Sequence, residues 1–338
     1  MAVRSTSSHG SRCVRSDVAV VFHADDFGMN RSVTDGIIRG FTHGLLTSTS
    51  LLANAPDAER ALQAWRNLEQ QRAAGRLPSL ETRGPLGEPD APFELGIHLN
   101  LTQGRPLTGL YPPQLLDEMG RFCGIGTLFR HLHRRRTPFE RALRSELEAQ
   151  IEFLGARGFQ PTHLNGHQYI ELLPGLRAAV RELVAHHRIP ALRVAYEEGL
   201  FRTTFLNGLQ AGNWFLAHVK RFYAGRLRRD ARRWEVSFPD AFFGTSHAGR
   251  ITLPLVRRFL RSADCRRLIE IGLHPATIAA DDDPRAVAHS DWNDPLAANR
   301  PKELEMLTSP MLVELLTARR VSLGRLAASE NAAASRAA

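Results

Sequence analysis

The predicted fold is organised around the stretch Val18-Ala-Val-Val-Phe-His-Ala-Asp25-Asp26-Phe-Gly28. Its apolar run, residues 18–22, predicts a short buried strand, and two adjacent acids followed by a glycine mark the end of that strand. In α/β folds, functional sites form at the carboxyl ends of parallel strands, so one carboxylate could hold a metal while its neighbour acts as a base. The alternative, left open by this stretch alone, is that Asp26 only caps the helix that follows.

Strand-like and helix-like patterns alternate along the rest of the chain. Further strands are predicted at residues 45–52, 93–101, 161–166, 191–195, 267–273 and 321–323. Helices are predicted at residues 30–43, 56–75, 137–154, 174–187, over most of 200–235, at 252–261 and as one long helix from 301. Residues 76–92 and 102–126, rich in Gly and Pro, are predicted to be loops. This alternation predicts an α/β fold with a parallel sheet or a barrel surrounded by helices.

The length of 338 residues and the hydrophobic content of 43% allow one large domain or two smaller ones. No linker requires two, so we predict a single domain over residues 17–326 between disordered tails at 1–16 and 327–338. No window approaches 18 consecutive apolar residues, and the N-terminal tail lacks the apolar core of a secretion signal. The three cysteines have no C-x-x-C spacing, so neither a disulfide framework nor a cysteine-ligated zinc site is expected. We therefore expect a cytoplasmic protein without a transmembrane segment.

The basic character of the chain could indicate an anionic partner, because the formal net charge is +9. All but two of the 44 basic residues are arginine, however, with lysine only at Lys220 and Lys302. Such a skew is typical of codon bias rather than of selection for one surface. No aromatic residues interleave with the basic ones to stack on bases, so we expect no nucleic-acid partner.

Potential ligands and proton carriers recur on four of the predicted strands. They are Asp25, Asp26, His98, His163, His167 and His274. One carboxylate and two imidazoles from different strands commonly hold a divalent metal and leave positions open for water and substrate. A single histidine of this kind is more often a hydrogen-bonded core or surface residue, but the recurrence at strand ends favours a site.

The pair in His163-Leu-Asn-Gly-His167 has the spacing of two metal ligands on one helix face. Asn165-Gly166 is a turn dipeptide and makes a helix unfavourable at this point. Only one of the two histidines is therefore needed as a ligand.

Five motifs together resemble the YdjC-like carbohydrate deacetylases, a family that includes chitooligosaccharide deacetylases and hopanoid-associated members. They are His-Ala-Asp25-Asp26-Phe-Gly, Gly44-Leu-Leu-Thr-Ser-Thr-Ser with Asn54, Gly96-Ile-His98-Leu-Asn-Leu-Thr-Gln-Gly-Arg-Pro-Leu, Pro161-Thr-His-Leu-Asn-Gly-His167 and Gly272-Leu-His274-Pro-Ala. The resemblance covers residues 18–324 in order. It implies a distorted (β/α) barrel and a metal-dependent hydrolase that removes N-acetyl groups from amino sugars.

By position, Asp26, His98 and His167 match the metal ligands of that family, and Asp25 matches its proton acceptor. His274 resembles the late histidine that related deacetylases use as general acid, and we expect nearby anions to keep its imidazole protonated to higher pH. The implied metal is Mg²⁺ or Zn²⁺, and two imidazoles favour zinc.

Substrate binding is assigned to Arg105, Arg193 and Asn165, and Arg193 could also orient Asp25 and keep it ionised. The family often has an aspartate at the position of Asn165. It also has further histidines after the ligand, where this chain reads Gln168-Tyr-Ile-Glu171. Sugar contacts are therefore expected to differ from those of other members. The expected substrate is still an acetylated amino sugar, and the expected assembly is a homodimer.

Two other functions stay open from the sequence. A two-histidine, one-carboxylate triad also holds iron in oxygenases, although an oxygenase would need neither Asp25 nor His274. The other is a non-catalytic protein that binds anionic lipid or nucleic acid through its basic surface, with affinity that falls steeply with salt.

Overall fold

The computed structural model describes residues 18–87, 92–134, 136–197, 211–263, 267–278 and 292–327. The predicted N-terminal tail, and residues 328–338 of the predicted C-terminal tail, lie outside this part of the chain. None of the helices within it combines the length and the hydropathy that a bilayer crossing requires.

In the part of the chain that the structure describes, eight parallel strands form one curved sheet. They are β1 Ala19–Phe27, β2 Ser48–Leu51, β3 Glu94–Leu99, β4 His163–Gly166, β5 Ala191–Leu192, β6 Ala241–Phe243, β7 Leu268–Leu273 and β8 Ser322–Leu323. Their order is β5-β4-β3-β2-β1-β7-β6, and β8 pairs with β1. The two edges approach each other where the Leu192 N–H donates to the Ser237 carbonyl at 2.8 Å and the Phe242 N–H donates to the Tyr196 carbonyl at 3.3 Å. These contacts bend the sheet into a distorted barrel, which confirms the predicted fold class.

Helices connect the strands and cover the outside of the sheet. The α-helices in the described residues are α1 Arg31–Thr42, α2 Ala58–Ala73, α3 Ser79–Arg83, α4 Ile125–Arg134, α5 Arg136–Gly155, α6 Arg177–His186, α7 Ala211–Arg233, α8 Leu253–Ser262, α9 Arg300–Leu307 and α10 Pro310–Ala318. Their apolar faces pack on the strands, as crossover helices of a parallel sheet do.

Strand β1 lies at the centre of the sheet and pairs with β2, β7 and β8. It is nearly completely buried, because Phe22 and Phe27 are packed in the hydrophobic core with α1 residues Ile37 and Phe41. The strand runs to Phe27 and thus five residues beyond the predicted end at residue 22. The polar residues of this extension are tolerated because they are hydrogen-bonded inside the sheet.

Three predicted boundaries are wrong. The predicted loop 76–92 contains α3, and helix α4 begins inside the predicted loop 102–126 and runs to Arg134. The long C-terminal helix is two helices, because Ser309 caps α10 by accepting a hydrogen bond from the Met311 N–H and Pro310 has no N–H to continue α9.

Candidate active site

A break in the strand geometry of β1 brings two consecutive acids to one place. Side chains of a regular strand alternate between its faces, so Asp25 and Asp26 would point in opposite directions. The pairing of β1 with β2 shifts register between Ala24 and Phe27, and Asp26 has the left-handed φ of 68°. As a result, both carboxylates lie within 4 Å of the His98 imidazole, at 3.9 and 3.5 Å.

Asp26 does not cap α1. That role belongs to Asn30, whose Oδ1 accepts a hydrogen bond from the Val33 N–H at 2.9 Å. Asp26 is therefore available for the site, and the capping alternative is wrong.

Asp26, His98 and His167 form a buried triad from three different strand ends. Asp26 Oδ1 lies 3.5 Å from His98 Nε2 and 3.1 Å from His167 Nδ1, and one ligand atom of each residue lies within 4.8 Å of the other two. Ligands at 2.0–2.1 Å from a tetrahedral zinc are roughly 3.4 Å apart, so this donor set fits a divalent cation. Nε2 of His167 is buried and finds no hydrogen-bond partner among the described residues, as expected of a group with a further partner to bind.

Asn165 fixes the orientation of His98. Its Oδ1 can only accept, so His98 Nδ1, at 2.8 Å, is the donor, and Nε2 is left to face Asp26. Burial alone would lower the pKa of His98, but the carboxylates of Asp25 and Asp26 outweigh it and raise that pKa. The triad thus lies in an environment that attracts positive charge.

Arg300 orients the other half of Asp26. Its Nη2 donates to Asp26 Oδ2 at 2.7 Å, and its Nε donates to Asp294 Oδ2 at 2.7 Å. Burial acts to raise the pKa of Asp26, yet Arg300 and the two imidazoles outweigh it and hold the pKa well below its usual range. Asp26 is therefore ionised, with Oδ1 directed to the histidines.

Asp25 is held by a buried arginine. Arg193 Nη1 donates to both carboxylate oxygens, at 2.8 and 2.7 Å, while its Nε donates to Glu270 Oε1 at 2.7 Å. Asn165 Nδ2 donates to Asp25 Oδ1 at 2.9 Å. The pKa of Asp25 lies well below its usual range because Arg193 and then His98 outweigh the effect of burial.

His274 follows β7 on the other side of Asp25. Its Nε2 lies 3.7 Å from Asp25 Oδ2, and its backbone N–H donates to Glu303 Oε2 at 2.6 Å. Burial lowers the pKa of His274 to about 4, against the opposing effect of Asp26 and Asp25. The expectation that neighbouring anions raise this pKa is therefore wrong, because desolvation of the imidazolium dominates.

His163 lies outside the triad, so only His167 of the pair is a candidate ligand. The His163 ring fills the space beside Gly96, where a Cβ would lie 2.3 Å from its Nε2, and it packs edge-on to His23. Residues His167–Leu172 form a 3-10 turn in which Gln168 and Tyr169 have positive φ. As predicted, the two rings do not share an α-helix face, but Asn165 and Gly166 end strand β4 and the chain turns only from His167, so the turn predicted at Asn165-Gly166 is wrong.

Among the residues assigned to substrate binding, Arg193 and Asn165 contact Asp25, as described above. Arg105 is exposed and lies on the wall of a cleft of about 1560 Å³ next to the triad.

Several further residues of the site are absent from the residues predicted from the sequence. Glu270 could be predicted from the sequence, because an acid in the middle of the apolar strand β7 requires a buried partner. Arg300 is the first residue of α9, and Trp292, whose ring centroid lies 6.1 Å from that of His167, is in a segment without periodicity, so neither gives a local pattern. Each is recognised only from its spatial neighbours.

Comparison with known proteins agrees with this geometry. The family described as YdjC-like protein matches residues 19–318. The chain belongs to the YdjC-like family. A carbohydrate deacetylase of Vibrio cholerae serotype O1 is 27% identical over 304 residues, which cover 90% of this chain and 93% of that protein. The human carbohydrate deacetylase is 30% identical over 247 residues, 70% of this chain and 66% of that protein.

A solved structure shares the fold of this YdjC-like chain. It is the crystal structure of a protein from Enterococcus faecalis V583 described as a cellobiose-phosphate cleavage protein, with a TM-score of 0.65 and 22% identity. The match covers 92% of this chain and 98% of that one. The resemblance to the YdjC-like family and its barrel is thus confirmed.

Proposed function

We propose that this YdjC-like protein is a metal-dependent hydrolase that removes N-acetyl groups from acetylated amino sugars, such as N-acetylglucosamine oligosaccharides or glycolipids. The carbohydrate deacetylases among its relatives support the sugar substrate. The observation that carries the proposal is the ionised Asp25, which lies beside the triad and within reach of His274. Amide hydrolysis needs a base for water and an acid for the leaving amine, and this arrangement provides a candidate for each.

The triad of Asp26, His98 and His167 is the proposed metal site. When bound there, a divalent cation would polarise the amide carbonyl and make a water molecule more acidic. Zn²⁺ and Mg²⁺ are both candidates, and the two imidazole donors favour Zn²⁺.

Asp25 is the proposed general base. Its low pKa keeps it ionised at neutral pH, and Arg193 and Asn165 hold it in one orientation. We assign these two residues to the positioning of Asp25, which leaves Arg105 as the candidate for direct contact with substrate.

His274 is the proposed general acid. With a pKa of about 4, its imidazole is neutral at pH 7 in the free protein, so it has no proton to give before the reaction begins. The 3.7 Å between Nε2 and Asp25 Oδ2 offers a route by which the proton taken from water reaches His274. His274 then protonates the amine nitrogen, which would otherwise be a poor leaving group.

Acetate release tests the proposal. Wild-type protein supplied with Zn²⁺ or Mg²⁺ is incubated with N-acetylglucosamine, its oligomers and acetylated glycolipids, alongside His98→Gln. We expect acetate from at least one sugar with the wild type and none with the variant. Oxygen uptake with bound iron would instead support an oxygenase, and salt-sensitive lipid or nucleic-acid binding that survives Asp26→Ala would support a non-catalytic binding protein.

The cytoplasmic location and the homodimer stay predictions.

A further inference from the structure

Trp292 presents an aromatic side chain next to the triad. The centroids of its ring and of the His167 ring are 6.1 Å apart, with an angle of 61° between the ring planes. The side chain is only partly buried, although it packs against the hydrophobic core. A partly exposed indole so close to a candidate metal ligand is a surface on which a bound molecule can lie.

The indole is fixed by its neighbours. Gly104 has a φ of +69°, and a Cβ at this position would lie 2.8 Å from Trp292 Nε1, so the ring occupies space that only a glycine leaves free. The next residue, Asn293, donates its backbone N–H to Gln103 Oε1 at 2.9 Å. The ring therefore has a defined position before any ligand binds.

The segment that carries Trp292 is also linked to the candidate metal site. Asp294 accepts a hydrogen bond from Arg300 Nε at 2.7 Å, and Arg300 Nη2 donates to Asp26 Oδ2 at 2.7 Å. Two hydrogen bonds through a buried arginine thus join the aromatic surface to Asp26. This network fixes the position of the segment that carries Trp292 relative to Asp26.

Trp292 and Arg300 also line the cleft of about 1560 Å³, together with Asn54, Gly104 and Arg105. Pockets for small ligands commonly measure about 300–1,000 Å³, so the cleft is large enough for a sugar with further units attached. The mixed lining, with one aromatic ring among polar groups, suits a pyranose, which has apolar C–H faces and a rim of hydroxyls.

We infer that Trp292 is the residue on which the pyranose ring of the acetylated sugar stacks, and that this contact selects cyclic amino sugars over acyclic acetamides. This inference rests on the proposed deacetylase function and adds a specificity-determining residue to it. Stacking would place one face of the sugar on the indole while its acetamido group reaches the triad. An acyclic acetamide reaches the same groups without this contact and binds more weakly.

The test measures sugar binding separately from turnover. The parent protein is Asp25→Asn supplied with Zn²⁺, in which loss of the proposed base slows hydrolysis of the ligand by about 10²–10⁴-fold. The probe is the dimer of N-acetylglucosamine in a calorimetric titration. Trp292→Leu removes the aromatic face and retains apolar bulk, whereas Trp292→Phe keeps a smaller face. Trp234→Leu removes a partly buried tryptophan that does not line the cleft and serves as the matched control. Thermal unfolding of each variant confirms that it is folded.

We expect Trp292→Leu to raise the Kd by about tenfold or more, which corresponds to one good aromatic contact. Trp292→Phe should recover most of the affinity, and Trp234→Leu should leave it unchanged. A Kd within twofold of the parent in Trp292→Leu, or no binding of the dimer by the parent, would overturn the inference. If the wild type releases no acetate from any sugar but Trp292→Leu still weakens binding, the deacetylase function fails while the stacking role stands.

Discussion

Asp25 and Asp26 are neighbours in the chain, yet they belong to two differently built regions. The imidazole side consists of Asp26, His98 and His167 and holds a buried ring nitrogen that has no partner in the described part of the chain. The arginine side consists of Asp25, Arg193 and Glu270, where Arg193 donates to both oxygens of Asp25 and to Glu270. The difference lies in the oxygens that remain for a further cation: Arg300 binds only Oδ2 of Asp26 and leaves Oδ1 to the histidines, whereas Arg193 binds both oxygens of Asp25.

Asn165 joins the two sides. Its Oδ1 accepts from His98 and its Nδ2 donates to Asp25, at 2.8 and 2.9 Å. A carboxylate at this position could not donate the second hydrogen bond. The asparagine of this chain therefore allows one side chain to orient both a candidate ligand and the candidate base.

The largest effect is expected from His167→Gln on the imidazole side. Loss of one of three protein ligands should abolish Zn²⁺ binding at micromolar concentrations. Acetate release should fall by at least about 10³-fold, since a metal contributes several kcal/mol to transition-state stabilisation. Calorimetric titration with Zn²⁺ and an acetate assay measure the two effects. His163→Gln, four residues earlier and outside the triad, is the control and should still bind the metal; equal metal loss in both variants would contradict the assignment.

On the arginine side, Arg193→Met should mainly reduce stability. It leaves the buried carboxylates of Asp25 and Glu270 without their cation, which typically costs about 3–5 kcal/mol. Arg60→Met removes a partly exposed arginine that pairs with Asp57 and Asp35, and it should cost at most about 1 kcal/mol. Urea unfolding of the two variants gives both values. Similar losses of unfolding free energy in Arg193→Met and Arg60→Met would show that the arginine side does not depend on Arg193 for its stability.

Glu171 sharpens the comparison with Asp25, because it is a buried carboxylate that no arginine binds in the described part of the chain. It is fully buried, and no side chain among the described residues donates a hydrogen bond to its oxygens. Burial raises the pKa of Glu171 to about 7, although Arg193 opposes the shift. A glutamate of the unfolded chain titrates near about 4.3, so the contribution of Glu171 to stability is intact below that pH and is lost as the pH rises through about 7.

Glu171→Gln should therefore nearly match the wild type near pH 4.5 and exceed its free energy of unfolding by about 3–4 kcal/mol at pH 8. Urea unfolding at the two pH values measures the difference. Glu314→Gln, an exposed control, should show no such dependence on pH. A variant that is less stable than the wild type at pH 8 would mean that Glu171 has a structural partner.

Local patterns were sufficient to predict the elements that carry the imidazole side. The apolar run before Asp25 and the polar residue within β3 each act over a few residues of sequence, and both lie in the observed strands. Asn165-Gly166 correctly disfavours a helix with both histidines on one face, although the two residues belong to strand β4 and not to a turn. The resemblance to the YdjC-like family then separated Asp26 from Asp25.

The remaining features depend on contacts between distant segments. Arg300 lies 274 residues after Asp26, and Glu270 lies 77 residues after Arg193. The left-handed conformation of Asp26 accompanies the register shift between Ala24 and Phe27 in the pairing of β1 with β2, a contact with a strand more than 20 residues away in the chain. The low pKa of His274 likewise follows from desolvation by the assembled barrel, which cannot be judged from a strand-end motif.

The assignment of Asp25 as general base and Asp26 as metal ligand is tested most directly by comparing Asp25→Asn with Asp26→Asn. Zn²⁺ binding and acetate release are measured for both variants. Asp25→Asn should bind Zn²⁺ like the wild type and lose about 10²–10⁴-fold in rate, the usual contribution of a general base. Asp26→Asn should lose both the metal and the activity. If Asp25→Asn lost the metal while Asp26→Asn retained it, or if both variants bound Zn²⁺ and differed little from the wild type in rate, the assignment of base and ligand would be contradicted.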